Sequence, residues 1–361
     1  LYQRIAHSDE NYRQLTVVLG VFGSGKSSLV KAGLIPCLRQ KYSQKWCILK
    51  PMRPGESPFT ALARTILSIT NVPVNNLLDN LDFITEILQE KLKQLDQAIY
   101  DTFDGAEEGT DERLRLEQEE NKFKQISDTW NYGTPDKRLL LVVDQFEELI
   151  NLCRTDDERE RLKQAVLNYI KPLSERLQTD SKQFIEIIAA WSQQHLGVRL
   201  LLVIDQFEEL ITLSRNTQED QQNSKRNESQ QLLKLLEETL AATLPQLCII
   251  VILRSDFEPR FLSSEALKSY WTQARFPVRA MRSDELRQAI ERPATEMALY
   301  FEPSNLVDKL IDEVGQMPGA LPLLSFTLSE LYLKLAEKWT NQETTDRALI
   351  LDADFDNWRL D

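Results

Sequence analysis

An apolar run at 15–20, LTVVLG, passes directly into Gly20-Val-Phe-Gly23-Ser24-Gly25-Lys26-Ser27, and the amphipathic stretch SSLVKAGLI follows. This is G-x-x-x-x-G-K-S between a buried strand and a helix, the pattern of a P-loop. Glycines let the backbone curl until successive N–H groups point inward at phosphate oxygens. The helix starting near Lys26 adds the partial positive charge of its N-terminus. Lys26 is placed to reach β- and γ-phosphates, and the Ser27 hydroxyl to ligate Mg²⁺. Gly20, Gly23, Ser24, Gly25, Lys26, Ser27 and Ser28 are therefore the nucleotide-binding candidates. The bland alternative is a Gly-Ser turn with an exposed lysine.

The rest of the chain alternates strand and helix signals. Residues 46–50 (WCILK), 139–143, 200–204 and 247–253 (LCIIVIL) read as further buried strands, and 59–69 and 79–99 carry helical spacing. Between them, 101–136 holds eleven acids against four bases. It reads as a partly disordered surface insert. Residues 215–231 read as a solvated loop or frayed helix start. After about 280 strand signals stop and proline-punctuated helices take over. Strands joined by helical crossovers predict an α/β fold with a parallel sheet flanked by helices. A small helical domain follows, so the expected division is 1–280 and 281–361.

One segment occurs twice. Residues 138–154 (RLLLVVDQFEELINLCR) and 199–215 (RLLLVIDQFEELITLSR) agree at fourteen of seventeen positions, 61 residues apart. Two copies do not make a solenoid; they read as a local duplication. Each copy ends an apolar run in an aspartate, Asp144 or Asp205, which suits a water-mediated hold on Mg²⁺. Each continues into a glutamate pair, Glu147 and Glu148 or Glu208 and Glu209, which can orient or deprotonate an attacking water. The alternative is an ordinary strand-to-helix cap, with Asp capping and Glu in the first turn. Chain order favours Asp205, because the strand 247–253 follows the second copy and ends in Arg254. Arg254 is placed to read a γ-phosphate, or else to pair with Asp256 or Glu258 at the surface. Gly319-Ala-Leu-Pro322 reads as a helix start with proline just inside it.

Composition excludes other classes. Lys and Arg number 43 against 56 Asp and Glu, for a net charge of −13, so nucleic acid is a disfavoured partner. No apolar run approaches the ~20 residues of a membrane helix. The four cysteines form no C-x-x-C pair. They indicate a reducing, cytoplasmic setting rather than a disulfide or zinc framework. Two histidines, His7 and His195, leave no His-based metal motif. The chain opens on Leu rather than Met, which predicts a piece of a longer protein.

Taken together, GSGKSSLVKAGLIPCL, the R-P-G-E-S-P turn at 53–58, DQFEEL, LRSDFEPRF and GALPLLSFTLSELY resemble the STAND class of P-loop NTPases. The resemblance is to its novel STAND branch, found in bacterial multidomain proteins often joined to WD repeats, and it covers about residues 15–340. It implies an AAA+-like ATPase core followed by helical lid and winged-helix regions. It also implies ATP and ADP with Mg²⁺ as ligands, and slow hydrolysis. The implied role is a signal-transduction switch that forms a homo-oligomer when ATP-bound and controls effector and sensor domains of the same longer protein. Gly319 and Pro322 match the family's glycine–proline element, whose proline lies near the adenine. Two features depart from the pattern: Phe22 stands where a small residue is usual, and the acidic strand is doubled. A nucleotide-holding scaffold without hydrolysis and an AAA+-type DNA motor are the competing functions, and the acidic balance counts against the motor.

Overall fold

The computed structural model describes residues 1–6, 14–55, 57–70, 81, 83–103, 111–133, 137–138, 141–142, 145–212, 219–262, 265–316, 319, 321–340 and 347–350. The chain divides into two compact units. One comprises Leu1–Pro51, Arg199–Glu208 and Leu247–Asp361; the other comprises Met52–Val198 and Glu209–Gln246.

The first unit holds a parallel sheet of five strands: β1 (Leu15–Gly20), β2 (Trp46–Ile48), β3 (Arg199–Ile204), β4 (Leu247–Arg254) and β5 (Arg275–Pro277). Their spatial order is β2-β3-β4-β1-β5. Every β1 residue is buried, and so are seven of the eight in β4. Such continuous apolar strands are what a parallel sheet covered on both faces requires. On one face, Val30, Leu34 and Leu38 pack against Val18, Leu201, Val203, Ile250 and Ile252. Phe207, Phe261 and Trp271 form an aromatic cluster, with neighbouring ring centroids 4.8 and 5.8 Å apart.

The tail of this unit has its own core, in which Leu286, Ile290, Leu306, Leu310, Leu324 and Leu331 come together. It is not all-helical as expected. Strands β6 (Tyr300–Glu302) and β7 (Ala348–Ile350) pair in parallel. Three-residue strands are too short to leave an alternation signal, and β5 was invisible for the same reason. The expected start of a winged-helix region falls largely on 341–346 and 351–361, outside the described residues.

Among its described residues the second unit is helical. The stretch 101–136, expected as a partly disordered insert, contributes the helix Asp111–Tyr132, paired with Phe83–Phe103. Trp130 Nε1 donates to Thr85 Oγ1 at 3.0 Å, and Lys91 pairs with Glu119 at 2.8 Å. These contacts join opposite ends of the two helices, so they run antiparallel. The acidic composition hid Phe123, Ile126 and Trp130, which are all buried and spaced for one helix face. Burying Phe123 and Ile126 contributes about 1.5–3 kcal/mol each. Of 215–231, expected as a solvated loop or frayed helix start, the described residues 219–231 belong to the helix Glu219–Ala241.

The two DQFEE copies fold differently. The second copy's apolar run is β3, near the middle of the sheet. The first copy's run, expected as a strand, is helical at 141–142, and the Gln145 N–H donates to the Leu141 carbonyl at 2.8 Å. Residues 139–140 and 143–144, including Asp144, lie outside the described residues. The duplication also reaches further upstream than the seventeen-residue match. Phe123 and Trp130 correspond to Phe184 and Trp191 at the same offset of 61, on the helices that precede each copy, and all four are buried.

Among the described residues, no helix is long and apolar enough to cross a membrane.

Candidate functional site

Parallel strands deliver their C-terminal ends to one edge. Gly20 at the end of β1 stands level with Arg254 at the end of β4, and Ile204 at the end of β3 is paired with Val251. The P-loop, Asp205 and Arg254 therefore meet outside the carboxyl ends of the strands, where open α/β sheets bind ligands. They line a cavity of about 1260 Å³.

Gly23 and Gly25 have φ of +67° and +79°, the left-handed backbone that a tight loop before the helix Lys26–Ser28 needs. That helix passes through a π-helical stretch, Leu29–Leu34, into Ile35–Tyr42. Lys26 is buried, at 8% exposure, and its Nζ donates to the Val21 carbonyl at 2.7 Å. Burial pushes the Lys26 ammonium below its ordinary pKa; Glu208 opposes this, Arg254 adds to it, and Asp205 and Asp256 oppose it further. The Ser24 hydroxyl is buried without a hydrogen-bond partner. A buried hydroxyl of this kind is costly unless a ligand oxygen or water meets it.

Asp205 follows β3 and is 1% exposed. Its Oδ1 accepts from Ser27 Oγ at 2.8 Å and from the Gln206 N–H at 3.0 Å. Lys31 Nζ lies 2.6 Å from Oδ2, an ion pair that is not aligned as a hydrogen bond. Lys31 carried no sequence expectation, although its spacing of four from Ser27 is a signal that places both on one helix face.

The glutamates of the second copy part ways. Glu208 lines the cavity, and its Oε2 accepts from the Arg254 N–H at 3.3 Å. Burial raises its carboxyl pKa, against the lowering effect of backbone hydrogen bonds and of Lys26 and Arg254. Glu209 does not line the cavity and accepts from the Gly55 N–H at 2.9 Å, in the R-P-G-E-S-P turn. In the first copy, Glu148 pairs with Lys122 at 3.0 Å. The side chain of Glu147 lies outside the described residues. Arg254 lines the cavity and is also held by Asp256, Nε to Oδ1 at 3.2 Å and Nη2 to Oδ2 at 2.8 Å. Its guanidinium lies over the rings of Phe22 and Phe257, 5.6 and 5.1 Å from their centroids. Phe22, unusual in a P-loop, thus gives Arg254 an aromatic face.

The tail and the segment before it contribute mostly apolar lining, including Val278, Met281, Leu286, Ile290, Leu321 and Pro322, with Arg279 and Glu285 as the charged members. Pro322 is the second residue of the helix Leu321–Thr340, where its missing N–H costs nothing. Gly319, at φ +88°, brings the tail onto the P-loop backbone. A Cβ on Gly23 would meet the Gly319 carbonyl oxygen at 2.1 Å, and one on Gly319 would meet that of Phe22 at 2.6 Å. Gly319→Ala should therefore cost at least about 1–3 kcal/mol from its backbone conformation alone. It should also loosen the tail from the P-loop. Chemical denaturation checks the first expectation, and proteolysis near 300–322 checks the second.

These residues fit a nucleotide and Mg²⁺. The loop offers the Lys26 ammonium and the unpartnered Ser24 hydroxyl to phosphate. Ser27 and Asp205 offer hard oxygen donors of the type Mg²⁺ prefers. Among the described residues no cluster of three or more His, Cys, Asp or Glu could hold a metal by itself. A Mg²⁺ site shared with substrate phosphates does not need one.

No curated protein gives a significant match to the chain. A family model does, twice: novel STAND NTPase 1 matches residues 1–179 and 170–350. The first match contains the P-loop and the first DQFEE copy. The second contains the other copy, β4 and the tail. With the P-loop, Asp205 and β4 gathered at one sheet edge and the two matches spanning nearly the whole chain, this protein belongs to the novel STAND NTPase 1 family and is a nucleotide-binding NTPase.

Proposed function

We propose that this chain is a slowly hydrolysing ATP switch whose nucleotide state sets the position of its tail. The observation that carries the reading is that the phosphate cradle and the tail line one cavity. Phosphates lie in Gly23–Ser28, with Lys26 and the Ser24 hydroxyl on their oxygens. Ser27 and Asp205 hold Mg²⁺, which when bound neutralises charge on the β- and γ-phosphates. Glu208 takes a proton from the attacking water, a role suited to a carboxylate whose pKa burial has raised. Adenine lies against the tail's apolar lining residues Leu286, Ile290 and Pro322, where a base needs cover more than polar contacts.

Arg254 reads the γ-phosphate by exchanging Asp256 and its aromatic neighbours for that phosphate. Ligand energy spread over sheet edge and tail makes their relative preference depend on the γ-phosphate, as a switch requires. In this reading residues 1–280 are the NTPase part, and 281–361 are the lid and the start of a winged-helix region. ATP-dependent self-association and coupling to effector and sensor domains in the cytoplasm complete it.

Limited proteolysis tests the reading. ADP and a non-hydrolysable ATP analogue should give different patterns around 276–322, and Arg254→Ala should narrow that difference more than it weakens ADP binding. Identical patterns, with both nucleotides bound, would defeat the switch.

A further inference from the structure

Asp205 is a carboxylate at 1% exposure, and its partners divide by oxygen. Oδ1 serves Ser27, with the Gln206 N–H; Oδ2 faces the Lys31 ammonium at 2.6 Å. Ser27 and Asp205 line the cavity and Lys31 does not. The Lys31 side chain is 36% exposed, so its charge is solvated while that of Asp205 is not. Ser27 and Lys31 are four residues apart and reach the same carboxylate, with the π-helical stretch from Leu29 beginning between them. Such stretches often mark functional positions in a helix.

A buried carboxylate needs a counter-charge. We propose that Lys31 is the tethered counter-ion of Asp205 and sets the Mg²⁺ affinity of the site; this rests on the nucleotide reading above. Lys31 pairs with Oδ2 and leaves Oδ1 on Ser27 before a metal arrives. Once Mg²⁺ is held through Ser27 and Asp205, the carboxylate faces two cations, and their mutual repulsion subtracts from metal binding. Lys31 thus acts through Asp205 as a positioning residue, stabilising the metal-free protein and weakening its grip on Mg²⁺. The consequence is a site that needs more Mg²⁺ for tight nucleotide binding and lets metal and nucleotide go more readily.

The test is a Mg²⁺ titration of fluorescent ADP binding, with melting temperatures in EDTA and in Mg²⁺ with ADP. Lys31→Met keeps the apolar stem and removes the charge. It should lower the Mg²⁺ midpoint about tenfold, which is 1.4 kcal/mol, and lower the melting temperature in EDTA more than in Mg²⁺ with ADP. Lys31→Arg should move the midpoint less than Lys31→Met does, because it retains the charge while changing its shape. In an Asp205→Asn background, Lys31→Met should move neither quantity.

An unchanged or higher midpoint in folded Lys31→Met overturns the proposal. So does a variant that stays unfolded with saturating Mg²⁺ and ADP, whereas one that folds only with them supports it. Wild-type protein that binds no nucleotide at any Mg²⁺ concentration removes the nucleotide reading itself, and this proposal with it.

Discussion

Replacing Lys26 with alanine is expected to remove most nucleotide affinity and leave the sheet folded. Lys26 lies at the P-loop with its ammonium 2.7 Å from the Val21 carbonyl, and it is not part of the apolar core against which Val30 and Leu34 pack. Its charge is held below the ordinary lysine pKa by burial, so a phosphate brought beside it meets a poorly solvated cation. Attraction is stronger there than in water. In wild type, nucleotide at 100 times its dissociation constant should stabilise the protein by about 2.7 kcal/mol. In Lys26→Ala that gain should largely vanish. Thermal denaturation with and without ATP and Mg²⁺ decides it, and equal shifts in the two proteins would remove the P-loop reading.

The second large effect is on turnover. Glu208→Gln should slow phosphate release by about 10²–10⁴-fold, the usual contribution of a general base, while ATP binding stays within a few-fold. Glu209→Gln, Glu147→Gln and Glu148→Gln should each leave turnover within a few-fold. A ranking led by Glu147 or Glu148 would move the chemistry to the first copy.

The pH dependence has a definite sign. Burial raises the Glu208 pKa, so the folded state holds this proton more tightly than the unfolded state. Ionised Glu208 therefore costs stability above its folded pKa, and the cost is relieved as pH falls towards the unfolded value. Glu208→Gln should melt higher than wild type at neutral pH, with the gap closing in mild acid. A carboxylate kept at the expense of stability is what a working site retains.

The parts that were legible in the sequence share a cause. β1, β3 and β4 are long apolar runs, and the P-loop's glycines, lysine and serine stand directly between one such run and a helix. β5, β6 and β7 are three residues each, too short for any periodicity, and β2, equally short, is legible only as the apolar run 46–49 before the Pro51 turn. Asp111–Tyr132 carries the composition of a disordered insert because its charges outnumber the few apolar side chains that hold it in place. The first DQFEE copy shows a different limit. Nearly the same seventeen residues make β3 in one place and helix at 141–142 in another, because the slot between β2 and β4 admits one strand. Local sequence states what a segment can become, and tertiary competition decides which copy becomes it. Lys31 and the division of labour between Glu208 and Glu209 depend on which direction side chains face, which spacing alone does not settle.

The chain connectivity sets the order of events when this protein is made. Arg199–Glu208, the short piece carrying both Asp205 and Glu208, joins its sheet only after Met52–Val198 has been synthesised, and Glu209–Gln246 must follow before β4 can close the gap to β1. Loop-closure entropy makes this delay inexpensive, at ~0.6 kcal/mol for each doubling of loop length. The P-loop therefore leaves the ribosome long before its acidic partner exists. The loop that follows β1 can be completed as a site only after β3 and β4 have been made, because Asp205, Glu208 and Arg254 stand at the ends of those later strands.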